Sequence, residues 1–165
     1  MDLPVVDQEN LLKHLAALLN TPSPTGLAEP AVALTEKLLS NTPGMKFWRT
    51  RKGALVADWP GEDDDAPRAL TAHVDTLGAM VKEIKPNGRL KLTQLGGYVW
   101  NTVEGEGCTV FAASGNHIRG SLLLSHASSH VHGAQVREMK RDEENMEVRL
   151  DDRTTSAEET RSLGI

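Results

Sequence analysis

The sequence predicts an α/β fold: two helices and three short strands open an α/β sandwich, and a run of strands spaced like those of a small β-barrel follows. Three observations carry this. Apolar residues recur at helical spacing as far as Leu38, the period then shortens to that of strands, and Gly, Pro, Asn and Asp clusters punctuate the second stretch at short intervals.

Asp7 precedes a stripe of Leu11, Leu12, Leu15, Leu18 and Leu19 with Lys13 and His14 opposite, so residues 8–19 read as an amphipathic helix. Thr21-Pro22-Ser23-Pro24-Thr25-Gly26 ends it. Pro30 suits the first turn of a second helix, which buries Ala31, Leu34 and Leu38 and stops near Asn41-Thr42-Pro43-Gly44. Residues 46–50, 54–59 and 68–73 are short apolar or alternating runs, parted by Gly, Pro and an Asp-rich turn at 61–67. Beyond Gly78 come strands at 79–84, 90–94, 109–112, 117–124, 131–132 and 146–150. Pro86-Asn87-Gly88 marks a hairpin, because Asn-Gly supplies the positive φ of a tight turn. The last helix, 156–163, opens with a Ser156-Ala157-Glu158-Glu159 capping box and closes at Gly164. A chain that stops one residue after such a cap is expected to be cut within a domain. The domain boundary is placed near Leu77, dividing 1–77 from 78–165.

Composition narrows the function classes. With 165 residues, 39% of them apolar, the chain can bury a core as one large domain or two small ones. A net charge of −5, with eighteen scattered Lys and Arg residues, argues against nucleic acid as a partner. Cys108 stands alone, which excludes an internal disulfide and a multi-cysteine zinc knuckle and suits a reducing compartment. The first ten residues lack an apolar signal core and no stretch suits a membrane span, so a cytoplasmic protein with no membrane partner is expected.

The candidate chemistry sits in Arg68-Ala69-Leu70-Thr71-Ala72-His73-Val74-Asp75-Thr76-Leu77-Gly78. An apolar run delivers a His-x-Asp pair into a glycine-bearing turn. At the carboxyl end of a buried parallel strand, His73 can bind a divalent metal through one ring nitrogen while Asp75, two residues on, fixes the tautomer through the other. On spacing alone, a strand-end histidine beside a turn aspartate is the commoner reading.

Thr71-Ala72-His73-Val74-Asp75-Thr76-Leu77-Gly78-Ala79-Met80-Val81-Lys82 resembles the first metal motif of the tetrahedral and glutamyl aminopeptidases, the cocatalytic dimetal metallopeptidases once misnamed endoglucanases. Further stretches are similar in the same order: Pro24-Thr25-Gly26, Asn87-Gly88, Leu95-Gly96-Gly97, Ile118-Arg119-Gly120, Ala127-Ser128-Ser129-His130-Val131, Val148-Arg149-Leu150-Asp151, Ser156-Ala157-Glu158-Glu159 and Leu163-Gly164-Ile165. The resemblance covers nearly the whole chain. It implies a peptidase α/β domain interrupted after the His-x-Asp strand by a β-barrel of the dimerisation type. It makes His73 a ligand of one of two zinc or cobalt ions and Asp75, counted with the catalytic residues, its orienter. It also implies a peptide substrate and a homo-oligomer built from dimers, up to a dodecamer. In that family a carboxylate bridges the ions and a glutamate acts as general base. Those residues are expected beyond Ile165, which leaves this chain with at most a partial metal site and no activity alone.

Several segments imitate the missing parts. Leu150-Asp151-Asp152-Arg153 looks like a bridging-aspartate motif, but the polar helix after it reads as solvated. Glu143-Glu144 lies in a charged turn and Glu158-Glu159 opens an exposed helix, so both read as solvated pairs. His130 and His132 would share a strand face, yet serines surround them and His126, so an exposed loop or edge is the better reading. His14 and His117 offer surface polarity alone. Cys108 reads as a small buried filler, and neither Gly96-Gly97 nor Gly105-Glu106-Gly107 has a phosphate loop's lysine. Two other functions stand beside the aminopeptidase: a non-catalytic truncated scaffold or interaction module, and another dimetal hydrolase such as a carboxypeptidase or deacylase.

Overall fold

The computed structural model describes residues 5–63 and 65–165, so Asp64 of the Asp-rich turn and the first four residues, part of the amino terminus read above, lie outside the described residues. The chain is a mixed α/β protein whose residues divide into two compact units, one ending at Thr76 and the other beginning at Leu77. Among the described residues no helix is long and apolar enough to cross a membrane.

In the first unit, α1 (Gln8–Leu19) starts where the Asp7 carboxylate accepts the Asn10 N–H at 3.0 Å, satisfying one of the helix's orphan donors. Then α2 (Glu29–Leu39) follows with Pro30 in its first turn. An antiparallel hairpin of β1 (Lys46–Arg49) and β2 (Leu55–Asp58) completes the regular structure. Arg49 ties the hairpin to α2 through the Glu36 carboxylate, 2.7 Å away. Burial is slight. Ala31 is the one buried hydrophobic side chain described in this unit, and Leu34 and Leu38 are half-buried instead of buried. The apolar stripe of α1 stays in water at Leu11, Leu12, Leu15 and Leu19.

Residues 68–73 do not form the expected buried strand. They run without regular structure, and Leu70 is fully exposed. An apolar run becomes a strand only when neighbouring backbone accepts its N–H groups and donates to its carbonyls. Among the described residues, the ladder contact nearest this run is one parallel bridge between Pro24 and Thr76, beyond its end.

The second unit is built on β3 (Gly78–Ile84), β4 (Leu90–Leu95), β5 (Gly107–Phe111), β6 (His117–Leu124) and β7 (Met146–Leu150). They form one sheet in the order β3-β4-β7-β6-β5 with every pair antiparallel. Period-two alternation puts Leu90 and Leu92, Ile118, Leu122 and Leu124, and Met146, Val148 and Leu150 into one core. Trp100, in a 3₁₀ turn at Trp100–Thr102, joins them. The core of the described chain therefore belongs to this unit.

Residues 131–132 are not a strand. They lie in α3 (Ser129–His132), a single turn followed by another, α4 (Gln135–Glu138). Finally α5 (Ala157–Ser162) begins at Ser156, whose hydroxyl accepts the Glu159 N–H at 3.2 Å, and ends at Gly164 with φ of +92°. The Glu159 carboxylate closes the box one residue early, on the Thr155 N–H at 2.6 Å. The helix, expected to be solvated, is exposed at Glu158 and Glu159 but not at Thr160. That side chain is fully buried and donates to the Gly88 carbonyl at 2.8 Å, docking α5 on the β3–β4 turn.

Candidate functional site

Residues two apart in an extended segment point the same way, and His73 and Asp75 do so. Nδ1 of His73 stands 3.0 Å from Oδ1 of Asp75. With an ionised aspartate, Nδ1 carries the proton and donates, which leaves the Nε2 lone pair for a ligand. Both side chains are open to solvent, at 82% and 50% exposure, so packing contributes little to holding them together. The pair fits one coordination position of a divalent cation. Among the described residues no group of three or more His, Cys, Asp or Glu side chains converges, so the pair stands without further ligands from them.

The backbone around the pair is held from the Pro22-Ser23-Pro24 loop, which the sequence marks as the end of the first helix and, from Pro24 on, as a stretch similar to the family. Ser23 is buried, its hydroxyl donates to the Val74 carbonyl at 2.5 Å, and its own carbonyl accepts the Thr76 N–H at 2.9 Å. A buried serine needs a partner somewhere. Nothing in the sequence says that the partner lies fifty-one residues on.

The imitating segments are occupied elsewhere. Glu143 accepts from the Lys82 ammonium (2.9 Å) and the Thr93 hydroxyl (3.1 Å), and these bonds, with the Lys82 charge, hold its carboxyl below the ordinary range. Glu144 pairs with Lys91. Glu159 is held low by the Thr155 N–H and hydroxyl. Asp151 and Asp152 are exposed at the end of β7. His130 and His132 share no strand face, because they fall in α3, where positions two apart point in different directions. His132 instead stacks on His126, ring centres 4.3 Å apart. Cys108 is half-buried where full burial was expected, and burial pushes its thiol up, away from reactive thiolate.

Glu147 was not singled out from the sequence. It lies on β7 at 2% exposure, with Lys85 at 2.6 Å and Arg89 beside it. A hollow of about 860 Å³ in the first unit, bounded by Lys46, Asp58, Trp59, Glu62 and Arg68, does not include His73 or Asp75. Pocket and imidazole do not coincide.

Comparison with known proteins agrees on a family. A sequence model described as M42 glutamyl aminopeptidase matches residues 53–165. The Bacillus subtilis (strain 168) protein named "Putative aminopeptidase YhfE" is 44% identical over 155 residues, which is 94% of this chain and 43% of that protein. Among solved structures, the TET aminopeptidase of Thaumarchaeota archaeon SCGC AB-539-E09 superposes with a TM-score of 0.80 at 20% identity, over 97% of this chain and 43% of that one. PhTET1-12s, described as a dodecamer in the asymmetric unit, superposes with a TM-score of 0.74 at 17% identity, over 94% of this chain and 43% of that one. At such identities the two structures speak to the fold. The chain spans less than half the length of each of these relatives.

Proposed function

The chain belongs to the M42 glutamyl aminopeptidase family, and from that membership we propose that it supplies the amino-terminal part of a dimetal aminopeptidase, which removes amino-terminal residues from peptides. The single observation that carries the reading to a site is the His73–Asp75 pair. His73 would hold one of two zinc or cobalt ions through Nε2. Such an ion, when bound, supplies Lewis acidity and lowers the pKa of its water. This chain's own residues orient the imidazole: Asp75 fixes the tautomer, and a ring that need not reorganise binds more tightly.

In this reading residues 1–77 are the amino-terminal part of the peptidase α/β domain, and 78–165 are its barrel-type insertion, the part that serves dimerisation. The one-sided core of the five-stranded sheet supports that division of labour. A homo-oligomer built from dimers, up to a dodecamer, is supported by the description of PhTET1-12s. A cytosolic location is supported by the lone cysteine.

A second reading, a non-catalytic interaction module, is favoured by one observation: the buried core lies in the second unit while the first leaves its apolar stripe in water. A chimera separates the two. This chain replaces the matching portion of YhfE, and hydrolysis of an aminoacyl-p-nitroanilide is followed with added zinc or cobalt. The aminopeptidase reading expects hydrolysis that His73→Ala lowers by about a hundredfold or more. A folded chimera without activity, or one indifferent to His73→Ala, would favour the interaction module.

A further inference from the structure

His73 and Asp75 are solvent-exposed, and solvent-exposed side chains sample many rotamers unless their backbone is fixed. What is fixed is the residue between them. Val74 is half-buried, its carbonyl accepts the Ser23 hydroxyl at 2.5 Å, and the Thr76 N–H, two residues on, donates to the Ser23 carbonyl at 2.9 Å. Ser23 therefore grips the segment at two points, one on each side of Asp75. The parallel bridge from Pro24 to Thr76 continues the grip. Pro24 itself brings no N–H to compete for the same acceptors, and the Leu27 N–H closes a turn on its carbonyl at 2.8 Å.

Both contacts run to backbone atoms, so they set the course of the chain whatever side chain Val74 carries. An extended course is what places residues 73 and 75 on one side. Ser23 is also 99% buried, so its hydroxyl has no water to fall back on. Removing it would orphan the Val74 carbonyl and free the peptide plane between the two side chains.

We infer that Ser23 is a positioning residue for the His73–Asp75 pair: its hydroxyl and carbonyl clamp the backbone around Val74 so that imidazole and carboxylate meet before any ligand arrives. This deepens the aminopeptidase reading and rests on it for its purpose, though the clamp can be measured separately.

The test uses the 165-residue chain with Ser23 kept, changed to Thr or changed to Ala. Ring-nitrogen magnetic resonance reads the His73 tautomer, and amide hydrogen exchange reads Thr76. The parent and Ser23→Thr are expected to show His73 with its proton on Nδ1 and a protected Thr76 amide. In Ser23→Ala, the tautomer preference should disappear and Thr76 should exchange about tenfold faster, the factor of one ordinary hydrogen bond. The β1–β2 amides should be unchanged. Should they loosen too, Ser23→Cys, of similar volume and weak as a donor, replaces Ser23→Ala under the same criteria. The clamp is overturned if the hydroxyl-free variant keeps both signatures, or if Ser23→Thr loses them as fully as Ser23→Ala does.

Adding zinc separates the clamp from the metal reading. A shift selective for the His73 ring in the parent, weaker in Ser23→Ala, supports both. Rings indifferent to zinc in every variant would overturn the link between clamp and ligand in this chain and leave the clamp standing on its own two signatures. A shift of parent strength in Ser23→Ala would overturn the link between clamp and ligand.

Discussion

At the scale of single residues, the described chain buries three polar side chains, and each is committed to a definite partner. Ser23 holds Val74, Thr160 holds Gly88, and Glu147 holds Lys85 and Arg89. The third is the costliest to disturb. Its carboxylate, at 2% exposure, lies against two cations that are themselves about one-third exposed. Glu147→Ala is expected to cost about 3 kcal/mol, because it leaves a void and two cations without their buried partner, while Glu147→Gln, which keeps the shape and some hydrogen bonding, costs less. Urea midpoints at neutral pH check this. A loss under about 1 kcal/mol for Glu147→Ala would mean that the two cations are solvated well enough to do without it. Nothing in Met146-Glu147-Val148 marks Glu147 as buried, since alternation puts it off the apolar face, where a charged side chain is ordinarily solvated. Residue type and spacing bring His73 and Asp75 to notice, because their partner is two residues away; Glu147 has partners fifty-eight and sixty-two residues away.

At the scale of elements, the three hairpins share one turn. In Thr50-Arg51-Lys52-Gly53-Ala54, Lys85-Pro86-Asn87-Gly88-Arg89 and Ala112-Ala113-Ser114-Gly115-Asn116, the first N–H donates to the fifth carbonyl and the glycine N–H to the first carbonyl. This is a type I turn closed by a glycine bulge, and each glycine has φ of 80° to 85°. The positive φ falls on Gly88 alone and not on Asn87, whose side chain instead accepts the Arg89 N–H at 3.1 Å. The Asn-Gly signal is legible in sequence, whereas Lys52-Gly53 and Ser114-Gly115 are weaker signals of the same geometry. The turns differ in their surroundings. A Cβ on Gly115 would meet nothing within 4 Å, while one on Gly88 would lie 2.9 Å from Thr160 Oγ1 and 3.0 Å from the Ser156 carbonyl oxygen. Gly115→Ala should cost about 1 kcal/mol for the backbone conformation alone, and Gly88→Ala about 3 kcal/mol because α5 must also move. Denaturation of the two variants side by side checks the difference, and equal losses would show that α5 does not press on the turn.

At the scale of the whole molecule, burial is uneven. The second unit holds the core of nine buried apolar side chains, and the first holds Ala31 as its described buried hydrophobic residue. Hydrogen-bonded backbone opens readily where few apolar contacts cover it. Native-state amide exchange should therefore be slowest in β4, β6 and β7 and fast in α1, whose apolar stripe faces water. Equal protection of α1 and β6 would contradict this distribution of stability. A buried strand is expected at 68–73 and an amphipathic helix at 8–19, and the first segment and most of the apolar stripe of the second are exposed for one reason: periodicity states which face of a segment is apolar, not what covers it.

The sequence by itself determined the local matters: where α1, α2 and α5 begin and end, the alternation of β4, β6 and β7, the position of the Asn-Gly turn, the family, and the proximity of His73 to Asp75. These depend on dihedral preferences, caps and partners only a few residues apart. The tertiary structure alone decided that Ser23 grips Val74, that Thr160 docks α5 on Gly88, that Glu147 is buried, and that 68–73 runs free instead of in a sheet. Each of these depends on which distant backbone or charge arrives to satisfy a polar group, and that is a property of chain closure over many residues, not of the pattern within any one segment.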